Sequence, residues 1–308
     1  MAIYVMSYHG WETERSVFIQ QIEDAISLGY TPITLDEIEK YASRKGKYIH
    51  FTSDDGNEND IELAKVLENY NTELTCFINS GSISESTTSL FRNRPNIRLE
   101  DHGMYHSAIA TSPYFCKIEE KKSPIYGFEK YTITPILNRT GYLASPGFIF
   151  NERVFEFLDY VNENKIASFN EFVCEGLDRK VIVKKREDYK FNGHFESYYE
   201  FKIRAEQYVI HSKESFYSVF NTNPKYHAYT WWLGNEFANS LFKKHGYLGT
   251  FSNAGHSFAS GSLWSMPRIY ISQKSFKESI DSPYRVEYDF DFKARMKYFA
   301  KKHYFAIK

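Results

Sequence analysis

Residues 48–56 read YIHFTSDDG, a run of β-type residues that ends in two aspartates and a glycine. Upstream, residues 3–7 predict a short strand and residues 17–28 a helix, because apolar side chains recur there near helical spacing. Downstream, residues 61–67 predict an amphipathic helix and residues 74–78 another strand. Strand–helix–strand alternation is typical of a parallel sheet or barrel with helices outside it. The sequence therefore predicts an α/β fold around the strand that carries the aspartates.

The alternation fades over residues 113–225, which are rich in aromatic residues. Within them, residues 151–164 predict a helix. The segments KVIVKKREDYKF (180–191) and SYYEFKIRAEQYVIH (197–211) predict strands. We therefore treat this region as an insertion or a second lobe.

The alternation returns after the insertion. Residues 234–244 predict a helix, and residues 247–251 and 268–272 predict strands. No internal repeat or low-complexity tract interrupts the sequence.

The composition excludes two classes of protein. Lys and Arg total 38 and Asp and Glu total 39, and the net charge of −1 lacks the basic footprint of a nucleic-acid-binding protein. Hydrophobic residues make up 42% of the chain and aromatic residues 18%, which suits a large core and excludes a disordered chain. The three cysteines show no Cys-x-x-Cys spacing and are expected to be reduced thiols.

The sequence contains no run of about 18 apolar residues that could span a membrane. Its first residues, MAIYVMSYHG, lack the basic start of a signal peptide, and polar residues interrupt the apolar stretch. We therefore expect a cytoplasmic protein, or an exported or periplasmic one whose signal is not part of this sequence.

Two adjacent carboxylates, Asp54 and Asp55, follow the predicted strand directly. In barrels, residues at the carboxyl ends of strands face the open mouth where catalysis takes place. Because neighbouring residues point in different directions as they leave a strand, one carboxylate can bind a cation while the other stays free. A turn or a helix N-cap is the alternative interpretation of this pair.

His102 and His106 are spaced four residues apart. On a helical turn this spacing places both imidazoles on one side, within reach of one ion. Taken alone, a solvated or hydrogen-bonded histidine pair explains the spacing equally well. Together with one of the upstream carboxylates, the pair makes an N,N,O ligand set with open positions, which suits a catalytic transition metal.

These motifs resemble those of the polysaccharide deacetylases, the NodB-homology family (carbohydrate esterase family 4). YIHFTSDDG is similar to the family's TFDDG motif, and DHGMYHSAI (101–109) to its His-Ser/Thr-x-x-His motif. VMSYHGW (5–11) resembles the opening of the circularly permuted branch, which includes poly-N-acetylglucosamine deacetylases. LFKKHGYLGTFSNAG (241–255) and LWSMPRIYIS (263–272) resemble late elements of that branch.

The resemblance implies a distorted (β/α) barrel of the NodB-homology type. Residues 1–112 and 226–285 would form the barrel, and residues 113–225 an inserted, aromatic-rich and partly β lobe. Residues 286–308 would form a basic-aromatic C-terminal helix or tail.

The resemblance also assigns roles to five residues. Asp55, His102 and His106 would bind a divalent metal, with Zn²⁺ as first choice and Co²⁺, Ni²⁺ or Mn²⁺ compatible with the same ligands. Asp54 would be the general base that deprotonates the attacking water. His9, in the Tyr-His near the N-terminus, would be the general acid that protonates the leaving amine.

The sequence departs from the family pattern at two places. Ser53 stands where the family usually has Phe, which predicts looser packing behind the carboxylates. The family's Pro-Tyr/Phe element would fall at residues 229–234, which contain no proline; a backbone N–H there could still bind an oxyanion.

Further residues have weaker assignments. Trp231, Trp232 and Tyr105 are candidates for contacts with a sugar, and the two tryptophans are equally well explained as core residues. His256 is a spare candidate for the general acid. The sequence does not identify an acidic partner for His9.

The implied activity is removal of an N-acetyl group from an amino sugar of a surface or capsular polysaccharide, a lipopolysaccharide or a precursor. The alternatives are a deformylase or another amide hydrolase at the same metal, and a catalytically degenerate glycan-binding protein.

Residues 293–308 contain six Lys or Arg and no acidic residue. They predict a solvated helix packed on the barrel or, alternatively, a peripheral membrane contact.

Overall fold

The structure is a computed structural model. It describes residues 2–10, 12–106, 115–122, 129–135, 143–150, 172–174, 181–183, 193–230, 234–254, 262–271 and 274–281. The strands are β1 (Ala2–Tyr8), β2 (Thr31–Pro32), β3 (Lys47–Asp55), β4 (Leu74–Ile78), β5 (Ile97–Asp101), β6 (Phe115–Lys122), β7 (Glu129–Pro135), β8 (Phe148–Phe150), β9 (Phe172–Cys174), β10 (Val181–Val183), β11 (Gly193–Phe195), β12 (Tyr226–Ala228), β13 (Gly249–Ala254) and β14 (Met266–Tyr270). The helices are α1 (Arg15–Ser27), α2 (Leu35–Tyr41), α3 (Asp60–Glu68), α4 (Glu85–Arg92), α5 (Tyr198–Phe220), α6 (Glu236–Lys244) and α7 (Phe276–Asp281).

Seven parallel strands form a closed barrel. Their order is β1-β14-β13-β12-β5-β4-β3, and β3 pairs again with β1, so that the sheet has no free edge between them. The register of the closing pair runs from Ala2 opposite Lys47 to Tyr8 opposite Ser53. The short strand β2 adds to β3. The predicted α/β barrel is therefore confirmed.

Local sequence explains where the first helices begin and end. In α1, Phe18, Ile22 and Ala25 recur at helical spacing and are buried. The chain then turns at Gly29, whose φ of 84° lies in the left-handed region that favours glycine. Helix α2 begins at a capping box in which Thr34 and Glu37 satisfy each other's backbone N–H groups.

The barrel has two apolar clusters. One combines residues from β1, β4, β12, β13 and β14, and because these strands lie around the whole barrel, the cluster fills its interior: Ile3, Val5, Phe77, Tyr226, Ala228, Phe251 and Met266. The other packs the outer faces of the strands against the helices and includes Phe18, Phe51, Leu67, Cys76 and Phe216. Cys76 is a buried free thiol, as expected.

One prediction for the inserted region is wrong. The segment 197–211 is not a strand but the first part of α5, which begins at a capping box of Ser197 and Glu200. Phe201, Ala205 and Val209 recur every four residues on its buried face. This helical spacing outweighs the high content of aromatic and β-branched residues that favours a strand. Helix α5 packs against β5, α4 and α6.

Elsewhere in residues 113–225 the described segments are antiparallel pairs: β6 with β7, β8 with β11, and β9 with β10. Strand β10 lies in the segment 180–191, where a strand was predicted.

The predicted helix at 151–164 and the C-terminal segment 286–308 lie outside the described residues. The domain boundaries stay a prediction. Among the residues that the structure describes, no helix is both long and apolar enough to cross a bilayer.

Truncation of Phe77 tests the barrel interior. Its ring is fully buried, packs 5.0 Å from the ring of Phe251 and lies 5.3 Å from the guanidinium of Arg268. We expect Phe77→Ala to lower the free energy of unfolding by about 3–5 kcal/mol, because it leaves a cavity between strands that cannot collapse together. Urea denaturation measures this change. The control Leu90→Ala removes a side chain that is 47% exposed and should change the value by less than about 0.5 kcal/mol; equal losses would contradict this account of the interior.

Candidate metal centre and active site

The two aspartates at the end of β3 face different environments. Alternation along the strand turns Asp54 inward with Thr52, and Asp54 is almost fully buried. Asp55 leaves the strand with a φ of 73°, and its side chain is 35% exposed at the mouth of the barrel. Gly56 follows with a φ of 74°. The turn thus separates one enclosed carboxylate from one that is accessible.

Three side chains converge at this mouth. The Oδ1 of Asp55 lies 3.6 Å from Nε2 of His102 and 3.8 Å from Nε2 of His106, and the three ligand atoms all lie within 4.8 Å of one another. Two imidazole nitrogens and one carboxylate oxygen form the ligand set of an open catalytic site for Zn²⁺ or a similar metal. These residues therefore fit a divalent metal ion.

Neighbouring groups orient these ligands. Nδ1 of His102 donates to the carbonyl oxygen of Ala228 at 2.8 Å, which leaves Nε2 facing Asp55. The amide of Asn79 donates to Oδ1 of Asp55 at 2.7 Å. Burial lowers the pKa of His102 to about 4, against the attraction of Asp54 and Asp55, so this imidazole is neutral at neutral pH, as a metal ligand has to be.

The histidine pair is not carried by a helical turn, and this part of the prediction is wrong. Residues 102–106 are irregular, and Gly103 has a φ of 92°. The loop is fixed instead by hydrogen bonds to the chain after β4: Ser80 N–H donates to Gly103 O and Gly81 N–H to Met104 O. The two imidazole rings still lie 5.4 Å apart.

Arg268, on β14, is the most important residue of the site that the sequence did not single out. Its guanidinium donates to both oxygens of Asp54, at 2.6 and 2.9 Å, and both side chains are buried. Burial alone would raise the pKa of Asp54, but Arg268 and, to a lesser degree, His102 hold it well below its usual range. An arginine at an inward position of an otherwise apolar strand was the available signal.

His9 lies beside the ligand set, at the end of β1. Its Nε2 is 3.8 Å from Oδ2 of Asp55, and its Nδ1 is 3.7 Å from Oε2 of Glu12. Glu12 also accepts a hydrogen bond from the hydroxyl of Tyr270. Burial and the neighbouring Asp55 raise the pKa of Glu12, and His9 opposes the shift. Glu12 is thus the acidic neighbour of His9 that the sequence did not identify.

Ser53 makes a polar contact where looser packing was predicted. It is fully buried, and its hydroxyl donates to Oδ1 of Asp60 at 2.6 Å, while the N–H of Asn57 donates to Oδ2 at 3.0 Å. Asp60 therefore connects the residues on either side of the Asp54–Gly56 turn. A Cβ on Gly10 would come within 2.3 Å of Oδ1 of Asp60, so glycine is required for this close approach.

The weaker candidates have different outcomes. Tyr105 lies in the loop between the two histidine ligands, is half exposed, and its carbonyl accepts from the hydroxyl of Tyr208 at 3.2 Å. Trp231, Trp232 and His256 lie outside the described residues. Roles for all of these in substrate binding or catalysis stay predictions.

Solved structures with this barrel include several deacetylases. A de-N-acetylase from Aggregatibacter actinomycetemcomitans matches with a TM-score of 0.57 at 13% identity, over 92% of this chain and 100% of that one. The BpsB deacetylase domain from Bordetella bronchiseptica matches with a TM-score of 0.55 at 11% identity, over 88% and 96%. IcaB from Ammonifex degensii matches with a TM-score of 0.53 at 13% identity, over 92% and 97%.

The chain has the fold of the polysaccharide deacetylases. The resemblance stated from the motifs is thereby confirmed at the level of the fold, while the circular permutation stays a prediction. No protein-family model and no curated protein sequence matches the chain.

Replacement of Asp60 by asparagine tests the electrostatics behind the site. Burial raises the pKa of Asp60 to about 7, above the value of about 3.9 in an unfolded chain. The folded protein then holds this proton more tightly, so the contribution of Asp60 to the free energy of unfolding falls as pH rises from about 4 to about 7. Asp60→Asn does not titrate. We expect the stability of this variant relative to the wild type to rise between pH 5 and pH 7, by up to about 1.4 kcal/mol per pH unit.

Urea denaturation with chelator at several pH values measures this difference. The control is Glu39→Gln, which removes an exposed carboxylate. A difference between Asp60→Asn and wild type that stays constant with pH, as for the control, would contradict the proposed burial effect.

Proposed function

We propose that the protein is a metal-dependent hydrolase that removes an N-acyl group, most simply acetyl, from an amino sugar of a glycan or glycan precursor. One observation carries the proposal. Asp55, His102 and His106 converge at the mouth of a deacetylase-type barrel, with a buried carboxylate on one side and an imidazole on the other. Hydrolysis of an amide needs a polarised carbonyl, a deprotonated water and a proton for the leaving amine.

The metal would be held by Asp55, His102 and His106. When bound, a Zn²⁺ or similar ion lowers the pKa of water and polarises the amide carbonyl. Asn79 and the carbonyl of Ala228 hold two of these ligands in place before any ion arrives. Zn²⁺ is our first choice because two imidazoles and one carboxylate are its usual catalytic ligands, although Co²⁺, Ni²⁺ and Mn²⁺ accept the same set.

Asp54 is proposed as the general base. Its Oδ2 lies 4.0 Å from Nε2 of His102, next to the ligand set but outside it. Arg268 keeps the carboxylate ionised and fixes its plane through two hydrogen bonds, so that Asp54 can accept a proton without first losing one. Arg268 also lowers the basicity of Asp54. The carboxylate would therefore hold an accepted proton only briefly before releasing it.

His9 is proposed as the general acid. An imidazole with an unperturbed pKa of about 6.5 can give a proton to a leaving amine near neutral pH. Glu12 lies on the Nδ1 side of the ring and Asp55 on the Nε2 side, so the imidazole of His9 is flanked by two carboxylates. Tyr270 in turn holds Glu12 through a hydrogen bond.

The substrate class rests on the barrel and on the chemistry of the site together. Proteins of the same fold include one named as a de-N-acetylase and one named as a polysaccharide deacetylase. This chain aligns with nearly the whole length of the de-N-acetylase, of the BpsB deacetylase domain and of IcaB. We therefore propose an N-acylated amino-sugar glycan as the partner. A cytoplasmic location and membrane contact through residues 293–308 stay predictions.

Two aspartate variants separate binding from chemistry. We expect Asp54→Asn to lower kcat about 10²- to 10⁴-fold for loss of the base, while the protein still binds one Zn²⁺. Asp55→Asn removes a ligand and should lose both metal binding and activity. Metal content after dialysis and acetate release from N-acetylglucosamine oligomers measure the two effects.

Glu62→Gln, an exposed carboxylate on α3, serves as the control and should match the wild type in both assays. Chelation should abolish acetate release, and added Zn²⁺ should restore it. Formylated and non-sugar amides in the same panel test the acyl group. A wild type that binds metal but hydrolyses none of these amides would overturn the proposal.

A further inference from the structure

Asp101 is a buried carboxylate next to the ligand His102 and receives four hydrogen bonds. Its Oδ1 accepts from Gly103 N–H at 2.9 Å and from the hydroxyl of Ser212 at 2.7 Å. Its Oδ2 accepts from Nδ1 of His227 at 2.7 Å and from the hydroxyl of Tyr247 at 2.9 Å. Asp101 is fully buried, and a carboxylate with four donors and no exposure is fixed in one orientation.

The donors come from different parts of the barrel. Ser212 belongs to α5, His227 to β12, and Tyr247 lies just before β13. His227 is itself held in place, because its ring stacks on that of Phe242 at 4.1 Å. Asp101 therefore connects β5 to its covering helix and to the next strands around the barrel.

This junction lies where β5 and β12 meet. In the described residues, the register between these strands consists of one pair, His227 opposite Asp101. The side chains add two links: Asp101 binds His227, and the following residue, His102, donates to the carbonyl of Ala228. Asp101, the last residue of β5, and His102, which follows it, are thus attached to two consecutive residues of β12, and the second of these links orients the candidate metal ligand His102.

The same carboxylate also shapes the loop that carries the second histidine. Gly103, with its φ of 92°, turns the chain directly after His102, and its N–H points back to Oδ1 of Asp101. Three residues later the chain reaches His106. The direction in which this loop leaves β5 therefore depends on Asp101.

We propose that Asp101 is a positioning residue for the metal, which acts through His102 and the Gly103 turn and is held by His227. Asp101 lies outside the candidate ligand set and is fully buried. The inference rests on the proposed function insofar as His102 and His106 bind an ion. Removal of a residue that orients a metal ligand typically weakens metal affinity about 10- to 100-fold.

Metal affinity tests the proposal without an activity assay. In Asp101→Asn the side chain keeps its shape, but the amide cannot accept from all four donors, since one of its two polar atoms is itself a donor. We expect the Kd for Zn²⁺, measured by competition with a chromophoric chelator, to rise about 10- to 100-fold. The visible absorption of bound Co²⁺ should change as well, because the ligand geometry changes.

A second variant and a control separate positioning from general loss of stability. His227→Phe keeps the stacking on Phe242 but removes the hydrogen bond to Asp101, and should weaken Zn²⁺ binding in the same direction. Ile22→Ala removes core packing from α1, where Ile22 is fully buried in an apolar cluster that contains none of the residues of the junction. It should lower the melting temperature and leave the Kd for Zn²⁺ within about 2-fold of the wild type.

The outcomes are distinct. A folded Asp101→Asn protein whose Kd for Zn²⁺ and Co²⁺ spectrum match the wild type overturns the proposal. So does an Ile22→Ala protein that loses as much metal affinity as Asp101→Asn. If neither Asp101→Asn nor His227→Phe yields folded protein, the carboxylate is a folding requirement and the proposal is also overturned. A wild type that binds no Zn²⁺ contradicts the proposed function instead.

Discussion

The pairing of β1 with β3 is the constraint on which the site depends. It closes the barrel and sets Tyr8, the last residue of β1, opposite Ser53, so His9 emerges beside the two aspartates that end β3. His9 therefore reaches the carboxylate of Asp55 although the two are far apart in sequence. The next parallel strands, β4 and β5, end at the same rim and contribute Asn79 and His102. The hydrogen bonds between these paired strands therefore position the groups of the site at one end of the barrel.

The inside of the barrel combines apolar and polar residues. Phe77 and its apolar neighbours fill much of it, and near the mouth the ion pair of Asp54 and Arg268 is enclosed, with the guanidinium over the ring of Phe77. An isolated carboxylate would be very costly here, and a buried ion pair roughly offsets its own desolvation rather than stabilising the fold. The ion pair is better explained by its effect on the site, because it holds the ionised carboxylate of Asp54 at a fixed position beside the candidate ligands.

Much of this arrangement could be predicted, and the errors have physical causes. The strand–helix alternation predicted β1, β3 and β4, because short-range patterns encode these elements. The motifs predicted the three side chains that converge at the mouth, whereas their role as metal ligands stays a prediction. The assignment of 197–211 to strands failed because aromatic content was weighed above the spacing of Phe201, Ala205 and Val209. Arg268 was missed as the partner of Asp54 because only the closed barrel brings these two residues together. Glu12 was missed although it lies only three residues from His9, because the short turn that joins them has no periodic pattern.

Ser53 shows how a departure from the family pattern can be accommodated. This small polar residue donates a hydrogen bond to Asp60, which is a third buried or partly buried carboxylate near Asp54 and Asp55. These neighbours, after burial itself, help to raise the pKa of Asp60, and they repel one another across a region of low dielectric. A cation at the mouth would relieve that repulsion, so metal binding and folding stability should be linked in this protein.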